Sequence, residues 1–445
     1  MKYALGLATL LTTLVATGQQ TLQVSLSQAQ QYAIEHAYSV QTSALELEKA
    51  RKFYLENIGR GLPQVSASGN YTYNIERQAF IAENPPGQLA LLQIGAPYSA
   101  LGSLNAEQLL FDGSYIVAIM AAEVLRDNAQ SNLEKSRIDI RDQVARAYHL
   151  VLVSRRTKQI IDEDLAFLQK NFEETTKLFE AGFVEEQDKD QLELLVSNLL
   201  NNKDFTEKQE QIALMFLKIQ MGVVIETEVE LTDNIEGLML FTEQGTDLLN
   251  EQFNYEQHID YRILQTQVRG QTLAVKNENM QYVPKLSAFY NLNYNVNNNS
   301  VNVFQGEQGV DRLDVRWQAV GVSLRVPILT GGSQNARVKQ AKIELEQVEV
   351  ADQQLKDNLK LQFAQAQAEY EFALSSYATQ RRNAELAKKI RDRILRKYQE
   401  GLASSLDLTQ AENQYQTALR EALNAANNAL DKKVNLEKVL GKYND

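Results

Sequence analysis

Two segments of the chain alternate with a period of two. After Pro63, Val65, Ala67, Gly69, Tyr71 and Tyr73 hold one parity and Gln64, Ser66, Ser68, Asn70, Thr72 and Asn74 the other. After Pro284, Leu286, Ala288, Tyr290, Leu292 and Tyr294 stand against Lys285, Ser287, Asn291, Asn293 and Asn295, with Phe289 the exception. That spacing predicts strands with one apolar and one polar face, of about the 9–11 residues that a tilted strand needs to cross a bilayer. Either strand alone would better suit the edge of a soluble sandwich. Polar loops, 75–103 and 296–313, lead to returning strands at about 104–112 and 315–328. In the second of these Val320, Val322, Leu324 and Val326 alternate with Gly321, Ser323 and Arg325; residues 104–112 alternate poorly.

The pattern then changes to helical. Ser114–Glu180 and Ser333–Glu400 both run without a single Pro or Gly. At a rise of about 1.5 Å per residue each predicts a helix of roughly 100 Å. Ile161, Leu165, Leu168, Phe172, Thr175 and Phe179 recur in steps of four and three, a heptad seam. Beyond Gly182 and Gly401 partner helices return, at 188–222 and 407–441. In the second, Leu408, Ala411, Tyr415, Ala418, Ala422, Ala425 and Ala429 keep the same spacing, and a mostly alanine seam lets backbones approach closely. The helices by themselves would also fit exposed, spectrin-like hairpins.

The chain is written twice. Ser66, Ala67, Asn70, Tyr73 and Asn74 recur as Ser287, Ala288, Asn291, Tyr294 and Asn295, an offset of 221. Phe111-Asp112-Gly113-Ser114 answers to Leu329-Thr330-Gly331-Gly332 at 218, and Phe179-Glu180-Ala181-Gly182 with Asp188 to Tyr398-Gln399-Glu400-Gly401 with Asp407 at 219. Residues 19–222 and 251–445 are therefore expected to share one architecture, joined by a connecting segment at 223–250. Each half carries a helix, a β-hairpin (63–112; 284–328), a long helix (114–180; 333–400) and a return helix. Four strands cannot close a membrane barrel, for which about eight is the minimum, and open edges are prohibitively costly in lipid. If these strands span a membrane, copies of the chain must pool them.

Composition narrows the function. Residues 1–18 have a Lys, an apolar stretch and a small-residue exit, the form of a secretory signal peptide. No later window is apolar enough for a spanning helix. The formal net charge is −12 with no basic block, which disfavours nucleic acid as a partner. Cysteine is absent, which removes disulfides, thiolate metal sites, a cysteine nucleophile and a lipid anchor on an N-terminal Cys. His36, His149 and His258 lie far apart, and Gly331-Gly332 lacks the Lys-Ser/Thr of a phosphate loop. No catalytic, cofactor or metal constellation is expected. Trp317, the single tryptophan, is expected as an interfacial anchor.

With these features the chain resembles the TolC-like outer-membrane factor family. The resemblance rests on the helix from Ser27 to Asn57 running into Leu62-Pro63, on the turns Leu110-Phe111-Asp112-Gly113 and Val326-Pro327-Ile328-Leu329-Thr330-Gly331-Gly332, and on the tip turns at Gly182 and Gly401. It implies a mainly α fold: long antiparallel coiled-coil hairpins in an α-barrel, plus four strands per protomer in a shared twelve-stranded barrel of a homotrimer. It implies an outer-membrane exit duct of a tripartite efflux pump or type I secretion system, with a large periplasmic portion. The partners it implies are a periplasmic adaptor, an inner-membrane transporter and outer-membrane lipid, with no cofactor.

The resemblance also supplies site residues. Gly182-Phe183 and Gly401-Leu402 match the tips that meet the adaptor. Asp188 and Asp407 match aspartates lining the closed entrance, and Tyr398 matches an aromatic of the gating network. Two positions depart from the family pattern: Ala403 stands for an Arg and Gln410 for a second acidic ring residue, so that Glu185, Glu186 or Glu412 becomes the alternative source of an inner ring. Asp188 and Asp407 also suit helix N-caps. Two other functions stand beside the duct: a periplasmic adaptor, which would show one hairpin flanked by small β-domains, and a secreted enzyme or binder.

Overall fold

The computed structural model describes residues 21–83, 87, 89–244 and 246–443; the predicted signal segment, 1–18, lies outside the described residues. In chain order the elements are β1 (Leu22–Val24), α1 (Leu26–His36), α2 (Tyr38–Gly59), β2 (Gln64–Tyr73), β3 (Ala79–Glu83), β4 (Leu89–Gln93), β5 (Tyr98–Phe111), α3 (Gly113–Glu180) and α4 (Glu186–Met221). There follow β6 (Val229–Leu231), α5 (Ile235–Gln244), α6 (Ile259–Met280), β7 (Lys285–Asn298), β8 (Arg312–Arg325), α7 (Ser333–Gln399) and α8 (Ser405–Val439). Of the described residues 67% are helical. No helix among the described residues is long and apolar enough to cross a membrane.

The chain falls into two compact units. Among the described residues, one comprises 21–45, Ser131–Arg262 and 353–443. Its cores sit between the long helices. Ile161, Leu165 and Leu168 of α3 pack on Leu195, Val196 and Leu199 of α4, so the predicted heptad seam is the contact. Ala366 and Tyr370 of α7 meet Leu436 and Val439 of α8 beneath Leu248. A short parallel pair, β1 with β6, is fixed by Tyr148, whose hydroxyl reaches the Val24 carbonyl at 3.1 Å and Asp233 Oδ2 at 2.9 Å. Asp233 in turn accepts from the Leu26 N–H at 2.8 Å and so holds the start of α1.

Three expectations shift here. The helix predicted over 27–57 is two helices, because Ala37 adopts an extended conformation (ψ 137°) between α1 and α2. On α8 the buried seam runs Leu408, Ala411, Tyr415, Ala422, Ala426 and Ala429, while Ala418 and Ala425 are half-buried. A helix of 3.6 residues per turn drifts from a strict seven-residue repeat, and the contact passes from position 425 to 426. The return helices begin at Glu186 and Ser405, two residues earlier than expected. Gly222, which ends α4 with φ 72°, has the His36 carbonyl oxygen where a Cβ would be. Gly222→Ala is expected to cost about 1–3 kcal/mol through strain and overlap together, read as a fall in apparent unfolding temperature.

The other unit, Glu46–Gln130 and Ile263–Asp352, holds a four-stranded antiparallel sheet in the order β2-β5-β7-β8. Near its base Val117 and Val124 of α3 pack with Leu273 and Met280 of α6. The register makes two faces. Ser66, Asn105 and Asn291 stand side by side, as do Ser68, Ser103 and Asn293, with Ser103 Oγ donating to Asn293 Oδ1 at 2.7 Å. On the reverse Val65, Ala106, Tyr290 and Val320 form one row and Ala67, Leu104 and Leu292 another.

The returning strands differ from expectation. β5 starts at Tyr98 and is longer than its alternation suggests, whereas β8 keeps about the expected length but starts and ends three residues earlier. The segment expected as a polar loop, 75–103, contains the β3–β4 hairpin, in which Phe80 pairs with Leu92 and Ile81 with Leu91. Trp317 stands opposite Asn293, on the polar face, and so is not placed as a lipid-side anchor.

Candidate functional site

The two helical hairpins of the first unit turn in the same way. At the first, Gly182 adopts φ 79° and its N–H donates to the Phe179 carbonyl at 2.8 Å, while the Phe183 N–H reaches the Leu178 carbonyl at 2.9 Å. At the second, Gly401 has φ 73°, with its N–H on Tyr398 O at 2.9 Å and the Leu402 N–H on Lys397 O at 2.7 Å. This is the left-handed helix stop that glycine alone adopts without strain. It leaves Phe183 and Leu402 exposed at the tips.

The acidic residues beyond the turns sit at the third helical position, not at the N-cap. The N-cap of α8 is Ser404, in a reciprocal box with Asp407: Asp407 N–H donates to Ser404 Oγ at 3.1 Å and Ser404 N–H to Asp407 Oδ2 at 3.0 Å. Those bonds from Ser404 hold the Asp407 carboxyl below the ordinary carboxylate range. The N-cap of α4 is Glu185, whose side chain makes no capping bond, and Asp188 lies in the first turn. There it faces Tyr398, whose hydroxyl stands 3.0 Å from Thr175 Oγ1 and is pushed up chiefly by burial. Ser405 Oγ donates to Gln191 Oε1 at 2.7 Å, and Leu192, Leu395 and Leu408 form a shared buried cluster. All four long helices therefore meet around Tyr398. Gln410 and Glu186 are exposed, and Ala403 is half-buried.

Glu412 is not available for an inner ring, because it is buried in an ion cluster that the sequence reading missed. Arg391 of α7, 6% exposed, lies between the rings of Phe167 (5.3 Å) and Tyr415 (4.6 Å). Its Nη1 is 3.4 Å from Asp164 Oδ1 and 3.1 Å from Glu412 Oε2, and its Nε donates to Asp392 at 2.8 Å. Gln416 Nε2 donates to Asp164 Oδ2 at 2.5 Å and to Glu412 Oε1 at 2.9 Å. Burial pushes the carboxyls of Asp164 and Glu412 above their ordinary range, against the pull of Gln416 and Arg391. The signal was present in the spacing. Ala384, Ala387, Arg391, Leu395 and Tyr398 form one helical stripe, with a single charge inside it.

Among the described residues no group of His, Cys, Asp and Glu could hold a metal ion. His149 is buried 3.3 Å from Asp431, His258 is buried beside Asp260, and His36 is exposed and stacks on Tyr32.

The outer membrane efflux protein profile matches residues 29–193 and 266–442, covering both sheet halves and both tip turns. The chain belongs to the outer membrane efflux protein family. Within that family it is similar to outer membrane efflux protein BepC of Brucella suis biovar 1 (strain 1330), 28% identical over 105 residues, which is 24% of this chain and 23% of that protein. The fold is similar over 94% of the chain to VceC of Vibrio cholerae (TM-score 0.67, 15% identity, 96% of that chain). It is likewise similar over 94% to CmeC, an outer membrane channel of Campylobacter jejuni (0.69, 16%, 85% of that chain), and to a membrane protein of Pseudomonas aeruginosa (0.71, 16%, 91%).

Proposed function

We propose that the chain is a passive exit duct in the outer membrane, three copies of which pool their strands into one twelve-stranded barrel and their helical hairpins into a periplasmic conduit. The observation that carries this is the sheet. β2 and β8 lie at its edges, each paired on one side only, and one face is apolar over β2, β5 and β7. Unpaired strand edges are not tolerated in lipid, and a head-to-tail ring of copies satisfies every edge by setting β8 beside the next copy's β2. Exposed apolar residues on α4, among them Phe205, Ile212, Phe216 and Ile219 at seam spacing, give the helical part a matching surface between copies. Apart from the inserted β3–β4 hairpin, the order helix, strand, strand, long helix, return helix occurs in both halves, which supports reading them as an internal repeat.

The exposed tips, Gly182-Phe183 and Gly401-Leu402, are then the surface for a periplasmic adaptor coupled to an inner-membrane transporter, which supplies energy and selects cargo. A periplasmic adaptor role for this chain itself is not favoured, because two hairpins share one chain with a four-stranded sheet.

Purified in detergent, the protein should run as a trimer and conduct ions in planar bilayers. A monomer that does not partition into membranes would sink the reading. Asp188 and Asp407, brought together at the entrance by symmetry, would form acidic rings that favour cations. Replacing both with Asn should lower the cation-to-anion permeability ratio severalfold, by analogy with other charged pore rings. An unchanged ratio would remove these two residues from the permeation path.

A further inference from the structure

Two apolar surfaces of the sheet unit are left uncovered, and they are complementary. The first lies on β8. On β2, β5 and β7 the polar face is mainly Ser, Asn and other polar residues, interrupted singly by Leu101, Leu109 and Phe289, yet on β8 the same face carries Leu313, Val315 and Trp317 in succession, which are 59%, 43% and 51% exposed. No bulge causes this, since β8 pairs with β7 from end to end in an unbroken register. The apolar positions change sides along the strand: nearer the helices Val320, Val322 and Leu324 lie on the apolar face, while at the loop end Arg312, Asp314 and Arg316 replace them. Arg316 stands opposite Tyr294, and Tyr71, Tyr73 and Tyr98 lie at the same end of that face, as in the aromatic belt of a headgroup region. Nothing comparable explains Trp317 and its neighbours, because a water-filled lumen gives an indole no reason to be there.

The second surface is the β3–β4 hairpin. Phe80 and Leu92 point to one side and Ile81 and Leu91 to the other, and these four with Leu89 are 51–75% exposed. Two strands this short, with apolar side chains on both faces, are not stable in water without a cover. The base of the hairpin is clamped to the ends of β2 and β5: Asn74 donates from its backbone N–H to the Pro97 carbonyl at 2.7 Å and from its side chain to the Ala96 carbonyl at 3.0 Å.

We propose that the hairpin of one copy folds over the Leu313–Val315–Trp317 patch of the adjacent copy, inside the loop-end mouth of the shared barrel, and narrows it with apolar side chains. The inference rests on the shared barrel proposed above. Strands in a sheet are spaced by roughly 4.8 Å. The patch on β8 is therefore one step from the next copy's β2, from which that copy's hairpin rises, but two steps from β5 of its own chain. Three hairpins would cover three patches, and an apolar constriction resists ion passage by dewetting.

Because the chain has no cysteine, introduced thiols are unique. Two double variants, L91C/V315C and L92C/V315C, sample the two faces of the hairpin. After oxidation in outer-membrane fractions, at least one should give a reducible ladder of dimer and trimer on a denaturing gel, which the three single variants do not. Full trimer in detergent with no ladder from either double variant overturns the inference and leaves the shared barrel standing. A detergent-stable monomer overturns the shared barrel, and the inference falls with it. Independently, I81N/L91N should raise single-channel conductance by about twofold or more in an otherwise intact trimer; unchanged conductance counts against the constriction.

Discussion

Arg391→Met is expected to destabilise the helical unit by about 3–5 kcal/mol, the usual loss when one member of a buried ion cluster is removed and the others stay behind. The guanidinium is buried between Phe167 and Tyr415 and within 3.4 Å of both Asp164 and Glu412. Methionine fills much of the volume but leaves two buried carboxylates facing each other. The cost then lies in the stranded partners, so replacing them as well should restore most of the stability. R391M/D164N/E412Q is expected to unfold closer to wild type than R391M does. If the triple variant is no better than the single one, packing of the guanidinium against the rings is the larger contribution.

The same cluster sets a pH signature. Asp164 and Glu412 are both raised by burial. An acid with a folded pKa above its unfolded value adds stability that is complete below the unfolded value and lost as pH rises through the folded one. Arg391 opposes that rise in the wild type, and without it both folded values climb further. The deficit of R391M should therefore be greatest at and above neutral pH and should shrink on mild acidification, measured as the difference in apparent unfolding temperature from wild type at each pH. A deficit independent of pH would show that the carboxylates are not strained by the loss.

What could be read from the sequence follows from how each element carries its signal. The long helices were legible because runs such as Ser114–Glu180 and Ser333–Glu400, free of Pro and Gly throughout, leave few alternatives, and their glycine stops because a left-handed residue is needed there. β2 and β7 showed themselves by alternation. β5 did not, for two physical reasons: its apolar parity rests partly on the small residues Ala100, Gly102 and Ala106, and its register slips between Leu109 and Phe111, which inverts the pattern near its end. The β3–β4 hairpin was hidden because apolar residues on both faces do not alternate. Trp317 was misplaced because β8 exchanges its apolar side partway along, and a parity taken from Val320–Leu324 cannot be extended to residue 317. At the tips, positions were right and roles shifted. Asp407 completes the capping box of Ser404 from the third helical position, and Glu412, one residue beyond the seam alanine Ala411, turns inward to Arg391.

Ala106→Arg should nearly abolish assembly into the outer membrane, whereas Asn105→Arg, one residue earlier on the same strand, should assemble normally. β5 is a central strand, flanked by β2 and β7, so neither position lies at a junction between copies. Ala106 stands in the row of Val65, Tyr290 and Val320, which along β7 lies midway between Tyr294 and the Leu286–Leu324 pair near the helices. On the proposed barrel that row meets the hydrocarbon core, where an arginine costs about 2–4 kcal/mol near the midplane, incurred once per copy and so threefold in a trimer. Asn105 stands among Ser66 and Asn291 on the polar face, where a guanidinium remains in water. Heat-modifiable trimer in outer-membrane fractions is the measurement. The comparison is independent of the tips, the ion cluster and the hairpin, because both variants add the same charge to one strand and differ only in the side to which it points. Equal assembly of the two would mean that neither face meets lipid, and equal failure that both are buried in protein.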